Sequence, residues 1–405
     1  MSHAPRNLVL CCDGTSNQFG PQNTSVVRLA QSLVRDSPCQ RLYYDPGIGT
    51  LPEPGIVLFK KIWTALALAF GIDLKWKVQE AYSYLMDMWE PGDRVFLFGF
   101  SRGAYTVRVL AGMVHALGLL PRGNQNLVPY AFRIFQSARR ERRREEENGS
   151  GWWELCRDFR RTFSRPVFKH DNERRFPVHF LGIWDTVSSV GWVWNPKTYF
   201  YTLHNPSIRT IRHAISVDER RTFFRQNRME PEGAQDFKEL WFPGVHCDVG
   251  GGYPEREGGL WREPFEWIMA EAEHSDLLID QDRLKEVLTK TPSSPKPWLD
   301  PAHESLTPAW WPVEFLPKWQ QVPNSQRRRL RWNRGRPRFI QNGALLDKTT
   351  LLRICGGKYE PPNMTAAFRD FVRKLPEIPH ELPYDPAPGQ PKAELVARAV
   401  PTQPL

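Results

Sequence analysis

Short apolar runs, each closed by a polar turn, set the rhythm of the first hundred residues. Asn7 to Cys12, Arg41 to Tyr44 and Val95 to Phe98 have strand length and no clean apolar–polar alternation, the pattern of strands buried on both faces. Between them the apolar period lengthens. Val26, Val27, Leu29, Ala30, Leu33 and Val34 form one helical face behind Thr24 or Ser25 as N-cap, and Leu74 to Glu90 predicts a second helix. After Ser101, Ala104, Val107, Leu110, Ala111 and Val114 recur at helical spacing. Strand and helix in alternation predict an α/β fold: a mostly parallel sheet with helices on both faces.

Beyond residue 120 the rhythm breaks and then resumes. Residues 121–175 contain the charge run 139–147, the glycine turn Gly149-Ser150-Gly151 and an aromatic-basic stretch. They predict a helical cap insertion with a solvated helix whose Arg and Glu pair locally. The sheet resumes at Pro177 to Trp184, a helix is expected over Ile211 to Arg221, and Phe237 to Val245 is the last strand-like run. A glycine-rich loop, His246 to Tyr253, and a helix from Pro264 to Glu273 complete a domain of residues 1–275. Residues 276–375, rich in Pro, Trp and Arg, predict an irregular extension packed on it, and the Pro-rich 376–405 a disordered tail. The apolar stretch from Ile62 to Ile72 is too short to span a bilayer and predicts a helix beneath or lining a cleft.

Composition changes this picture little. At 405 residues with 40% hydrophobic and 25% charged positions, the chain is long enough for a sizeable core. Six cysteines, without a C-x-x-C pair, fit reduced thiols, not a disulfide framework or zinc site. With no signal peptide at its start, a cytoplasmic location is expected. The net charge of +10 suits an anionic partner such as a membrane surface, or reflects local arginine clusters alone. No DNA- or RNA-binding signature accompanies it, so specific nucleic-acid recognition is not expected.

The chemistry centres on Gly99-Phe100-Ser101-Arg102-Gly103, a G-x-S-x-G pattern between a predicted strand and a predicted helix. In that setting the serine stands on a sharp turn as a nucleophile, and the flanking glycines let the helix approach the strand. Such a serine needs a base, and the base an anion that fixes its tautomer. Asp185 and His246 each follow an apolar strand on the same sheet edge. The chain order Ser101, Asp185, His246 is that of α/β-hydrolases. His213 is the rival base, on the predicted helix. Backbone amides of Arg102 and of Gly14 or Thr15 are the expected oxyanion donors, with Asp13 orienting its own turn and Gly99, Gly103 and Asp248 in support.

These residues carry a resemblance. Asp13-Gly14-Thr15-Ser16-Asn17, Asp45-Pro46-Gly47-Ile48-Gly49, residues 99–108, Trp184-Asp185-Thr186-Val187 and residues 243–253 resemble the bacterial α/β-hydrolase family of type VI secretion phospholipase effectors, first class (the Tle1-like catalytic domain). The likeness runs from about residue 7 to 275, with weaker echoes at His303, Trp310-Trp311 and Tyr359. It departs at Gln341-Asn342, where relatives tend to have a histidine and a small residue. It implies a Ser-Asp-His esterase or phospholipase without a cofactor, acting on a lipid or other ester with peripheral contact to anionic membrane, and leaves export by a type VI system open.

Two other readings stay open at this level. Asp13, Asp45, Asp185, His246 and Asp248 would suit a metal-dependent phosphoesterase. An Asp-Gly-Thr after a first strand also resembles the haloacid dehalogenase-type phosphatases, but their nucleophilic aspartate would fall at Cys11, so that likeness fails. The other reading is a non-enzymatic interaction protein that uses Arg139–Arg144 and Arg327–Arg338.

Overall fold

A computed structural model describes residues 5–14, 20, 22–35, 38–47, 59–137, 151–167, 176–187, 191–192, 195–196, 199–290, 296–315, 317–321 and 328–389, some of them (59–72 among these) as backbone alone. Eight strands form the main sheet: β1 (Asn7–Cys12), β2 (Gln40–Asp45), β3 (Arg94–Phe100), β4 (Val178–Trp184), β5 (Ile208–Ser216), β6 (Asp236–Phe242), β7 (Leu345–Asp347) and β8 (Glu381–Pro383). Their order is β8-β7-β6-β5-β4-β3-β1-β2, all neighbours parallel except β7 and β8. Strand order reverses direction at β1, and the carboxyl ends of strands at such a switch point, here β1 and β3, are the usual place for a ligand in such sheets.

Side-chain alternation along each strand divides the core in two. Leu8, Leu10 and Cys12 of β1, with Val95 and Leu97 of β3, pack under helix Phe59–Met88 and helix Arg102–Leu117. Val9 and Cys11, with Phe96, Phe98 and Phe100, pack on the other face against helix Ser25–Ser32 and helix Arg262–His274. Both faces are covered, so the strands carry no polar alternation. This is the α/β-hydrolase-like arrangement that the pattern predicted.

Two expectations are corrected. The segment expected as a helix from Ile211 to Arg221 is mostly β5. Eight of its nine strand residues are buried, and a strand buried on both faces shows neither helical nor alternating period. Second, Phe237–Val245 does not hold the last strand, and the C-terminal region is not irregular throughout. β7 and β8 extend the sheet, and helices Lys348–Cys355 and Ala366–Arg373 pack there through Leu351, Ile354, Phe368 and Val372. Helices of eight residues do not persist alone in water, so this burial holds them. Residues 376–389 of the expected disordered tail are described and include β8; residues 390–405 lie outside the described residues.

The insertion of residues 121–175 is described in part. Helix Gly151–Phe163 buries Trp152, Cys156 and Phe159 in the core, while Arg160 donates to Ala116 O and Ser164 to Leu117 O. Those carbonyls end a 16-residue helix that begins beside Ser101, roughly 24 Å away at 1.5 Å per residue. Helix Gly151–Phe163 therefore packs at the end of that helix away from Ser101, while Phe132 and Phe135 pack on Tyr199, whose ring meets Tyr105 one turn past the serine. The charge run 139–147 lies outside the described residues.

Candidate active site

Ser101 sits between β3 and helix Arg102–Leu117 with φ 58° and ψ −119°, a conformation unfavourable for a residue with a Cβ. Three backbone hydrogen bonds, Ser101 N to Trp184 O (3.0 Å) and Tyr105 N and Val187 N to Ser101 O (3.4 Å each), hold it there. The flanking glycines permit the turn. A Cβ on Gly99 would lie 2.6 Å from the backbone of Ala104, and one on Gly103 would lie 2.1 Å from the carbonyl oxygen of Cys12. Asp185, at the end of β4, also has a positive φ, 39°. Strained backbone at two adjacent strand ends is a mark of a site whose surroundings over-determine it.

His246 opens a short helix, His246–Gly250, just past β6. Its Nε2 lies 2.8 Å from Ser101 Oγ and its Nδ1 2.5 Å from Asp185 Oδ2. The carboxylate holds the ring proton on Nδ1, which leaves Nε2 to accept from the serine hydroxyl. Phe100 and Phe224 flank the imidazole at 4.6 and 4.8 Å. All three polar side chains are buried. Burial lowers the affinity of the imidazole for a proton below the ordinary 6.5; the hydrogen bond and charge of Asp185 oppose this, and Arg221 adds to it.

Asp185 is solvated by protein instead of water. Oδ1 accepts from Ser216 N (2.9 Å), Ser216 Oγ (3.1 Å) and Arg338 Nη1 (2.5 Å). Oδ2 accepts from His246 Nδ1 and Arg338 Nη2 (2.9 Å). Burial alone would raise its proton affinity, but the charge of Arg338 and the donor bonds outweigh it and hold the group well below the usual carboxylate range.

A second buried carboxylate, Glu219, holds the histidine's backbone. It accepts from His246 N (3.3 Å), from the amides of Arg220 and Arg221, from the Arg221 guanidinium and from Ser305 Oγ. Asp248 closes the same loop: Oδ2 accepts from Val245 N (2.9 Å) and Oδ1 lies 2.6 Å from His303 Nδ1. Residues 303–305 of the extension thus brace the turn that carries His246.

The remaining sequence candidates fall elsewhere. His213 is on β5, not a helix. Its Nδ1 lies 2.9 Å from Glu239 and its Nε2 accepts from Thr186 N (3.3 Å), so both ring nitrogens are committed. Asp13 accepts from Thr24 Oγ1 (2.7 Å) and Tyr44 OH (3.1 Å), and its Oδ1 takes the Gly14 amide at 2.6 Å. Asp13 does orient its own turn, but the expectation of Gly14 as an oxyanion donor needs correction, because that N–H already has a carboxylate partner. Thr15 lies outside the described residues. Asp45 pairs with Lys77 (2.9 Å). Of the five groups considered for a metal, Asp185 and His246 bind each other, while Asp13, Asp45 and Asp248 each have other partners. Among the described residues no three His, Cys, Asp or Glu side chains are arranged to hold a metal ion. Gln341, at the departure from the family pattern, accepts from Arg228, which also binds Glu239.

Sequence reasoning missed Ser216 and Arg338 and noticed Glu219 only as part of a supposed helix. Arg338 was grouped with a basic surface; the apolar Phe339-Ile340 that follows it is the sole sequence hint that the chain turns inward there.

Residues 6–271 match the family described as T6SS, phospholipase effector Tle1-like, catalytic domain. An uncharacterized protein of Saccharomyces cerevisiae is 35% identical over 233 residues, covering 56% of this chain and 33% of its own length. Among solved structures, an uncharacterized protein from Pseudomonas aeruginosa aligns with a TM-score of 0.41 at 16% identity, over 72% of this chain and 49% of that one. The Tle1 effector bound to the VgrG spike of the type 6 secretion system aligns with a TM-score of 0.33 at 16% identity, over 62% and 51%. The chain thus spans a third of the yeast relative and about half of each solved chain.

Glu219 yields a prediction. Arg221, Arg338 and His246 outweigh the effect of burial and hold its carboxyl at about 2. Since the folded value lies below the unfolded one, the carboxylate stabilises the fold above about pH 4.5, and that contribution is lost as pH falls toward 2. The size is about 3 kcal/mol. Urea unfolding should therefore find Glu219→Gln less stable than wild type at pH 7 by roughly that amount. The gap should narrow as pH is lowered toward 3; a gap that widens would contradict the assignment.

Proposed function

Since the chain belongs to the Tle1-like catalytic-domain family of type VI secretion phospholipase effectors, we propose that it is a serine hydrolase that cleaves carboxylic esters, those of phospholipids in particular. One observation carries the reading: the hydrogen-bonded line from Ser101 Oγ through His246 to Asp185, at 2.8 and 2.5 Å, on a strained strand-to-helix turn.

In this mechanism His246 Nε2 takes the proton of Ser101 as Oγ attacks the ester carbonyl. The oxyanion is held by the backbone N–H of Arg102, at the amino end of a helix whose dipole favours negative charge. The imidazolium then protonates the departing alcohol, which leaves an acyl group on Ser101. Water, deprotonated by the same nitrogen, attacks the acyl carbon, and the acid departs as the proton returns to Oγ.

Lipid as the substrate class is supported by the family and by the surface near the site. Trp311, Phe315, Leu330, Trp332 and Phe339 are exposed large apolar side chains, interleaved with exposed Arg331, Arg334 and Arg336. Neighbouring Trp310 packs edge-on against Phe224, the ring beside His246. Aromatic and basic groups together suit the headgroup region of an anionic bilayer. Among the described residues no helix is long and apolar enough to cross a membrane, so contact from one side is the geometry proposed.

An active-site-directed fluorophosphonate should label the wild-type protein and leave Ser101→Ala unlabelled. Labelling should persist on the acid side to below pH 6.5, because burial keeps His246 neutral there. Unlabelled wild type, or equal labelling of Ser101→Ala, would overturn the mechanism. For the substrate class, the double substitution Phe315→Ala, Trp332→Ala should lower hydrolysis of anionic phospholipid vesicles roughly tenfold while a soluble short-chain ester loses far less. Equal losses on both would argue against a lipid surface.

A further inference from the structure

We propose that Arg338, which lies beyond the family match ending at residue 271, is a positioning residue of the reaction: it fixes Asp185 in place and in charge, and so keeps the enclosed His246 a neutral base. The inference rests on the Ser101–His246 reading above.

The geometry is a two-pronged clamp. Arg338 Nη1 meets Asp185 Oδ1 at 2.5 Å and Nη2 meets Oδ2 at 2.9 Å, with both side chains fully shielded from water. Such fork-to-carboxylate pairing sets orientation as well as charge. The other donors of Arg338 reach Phe224 O (Nε, 3.1 Å), Ser216 O (Nη1, 3.2 Å) and Ser216 Oγ (Nη1, 2.7 Å). One guanidinium therefore joins the end of β5, the segment whose ring flanks the imidazole, and the carboxylate that orients the imidazole. Its own segment is anchored by Glu314, which accepts from Thr222 N (2.5 Å), Gly335 N (3.0 Å) and Asn333.

The charge balance explains why a positive group is needed there. Three charged groups act on His246, namely Asp185 at Nδ1, Glu219 at the backbone amide, and Arg221, paired with Glu219 at 2.9 Å and lying 3.6 Å over the Phe224 ring; a fourth, Arg338, stands behind Asp185. Ser101, Phe100 and Phe224 complete its surroundings, with Cys247 next along the chain, its thiol pushed up by burial to about 12 and so uncharged. Two carboxylates and two guanidiniums cancel, so an imidazolium in the resting enzyme is an uncompensated buried charge. During attack the oxyanion supplies the missing negative charge. Without Arg338 the sum is −1, the resting histidine is drawn to the protonated state, and Asp185 loses one side of its cage.

A salt bridge with only a structural role would also destabilise the protein when broken. The titration of His246 separates the two roles. In the full chain labelled at histidine, NMR would follow each imidazole, with His246 assigned from His246→Gln. Wild-type His246 should titrate below 6.5. In Arg338→Met its midpoint should rise by about one to two pH units, and Arg338→Lys, which keeps the charge, should restore most of the shift. At pH 7 kcat should fall roughly ten- to hundredfold in Arg338→Met with KM little changed. A midpoint within about 0.3 unit of wild type in folded Arg338→Met would overturn the proposal. A wild-type midpoint above about 7 would do so even if Arg338→Met fails to fold. The titration needs no substrate, so its failure is distinct from failure of the hydrolase reading, which fluorophosphonate labelling of wild type reports.

Discussion

A carboxylate with almost no access to water must be solvated by the protein, and Asp185 is where that requirement organises the molecule. Its donors come from β5, from the loop after β6 and from residue 338, three places distant in sequence. Leaving any of these groups unpaired in the interior would cost several kcal/mol. Satisfying Asp185 therefore draws the C-terminal extension onto the sheet and places the imidazole between carboxylate and serine. Glu219 repeats the arrangement one loop away with Arg221, and Asp248 again with His303. The extension thus serves the site from below, which bears on where a functional boundary can be drawn: the family match ends at residue 271, yet Arg338 and Ser305 reach the side chains that hold His246.

The enclosed, charge-balanced interior contrasts with the surface beside it. There the same extension presents exposed tryptophans, phenylalanines and arginines. Inside, Arg338 and Arg221 serve as counter-ions to Asp185 and Glu219; outside, Arg331, Arg334 and Arg336 face solvent. The net charge of +10 hides this division, because it sums groups with opposite tasks.

How far the chain disclosed this in advance varied with the kind of signal. The serine turn was legible because glycines at 99 and 103 answer a local steric demand, as the close approaches of Ala104 and Cys12 show. The placement of Asp185 and His246 after apolar runs was legible too, since strand ends are marked by where burial stops. β5 was not. Ile208 to Ser216 is buried on both faces and has no alternation to mark it, and its His213 and Arg212 dilute the apolar run. Strands of three residues, β7 and β8, are too short to carry any period. Arg338 was hidden because a buried arginine and an exposed one have the same letter, and only the partner across the fold tells them apart. The Gly14 amide was misassigned for a related reason: the sequence showed a turn fit to bind an anion, and the anion that fills it is Asp13 itself.

The central claim is that this buried line of hydrogen bonds makes Ser101 a nucleophile, and the most direct test is to catch the covalent intermediate. Protein mixed with an ester substrate and quenched in acid within one turnover should gain the mass of the acyl group, on the peptide that contains Ser101 and on no other. Hydrolysis that proceeds with no acylated protein at any quench time, or with the acyl group on a different residue, would contradict the account.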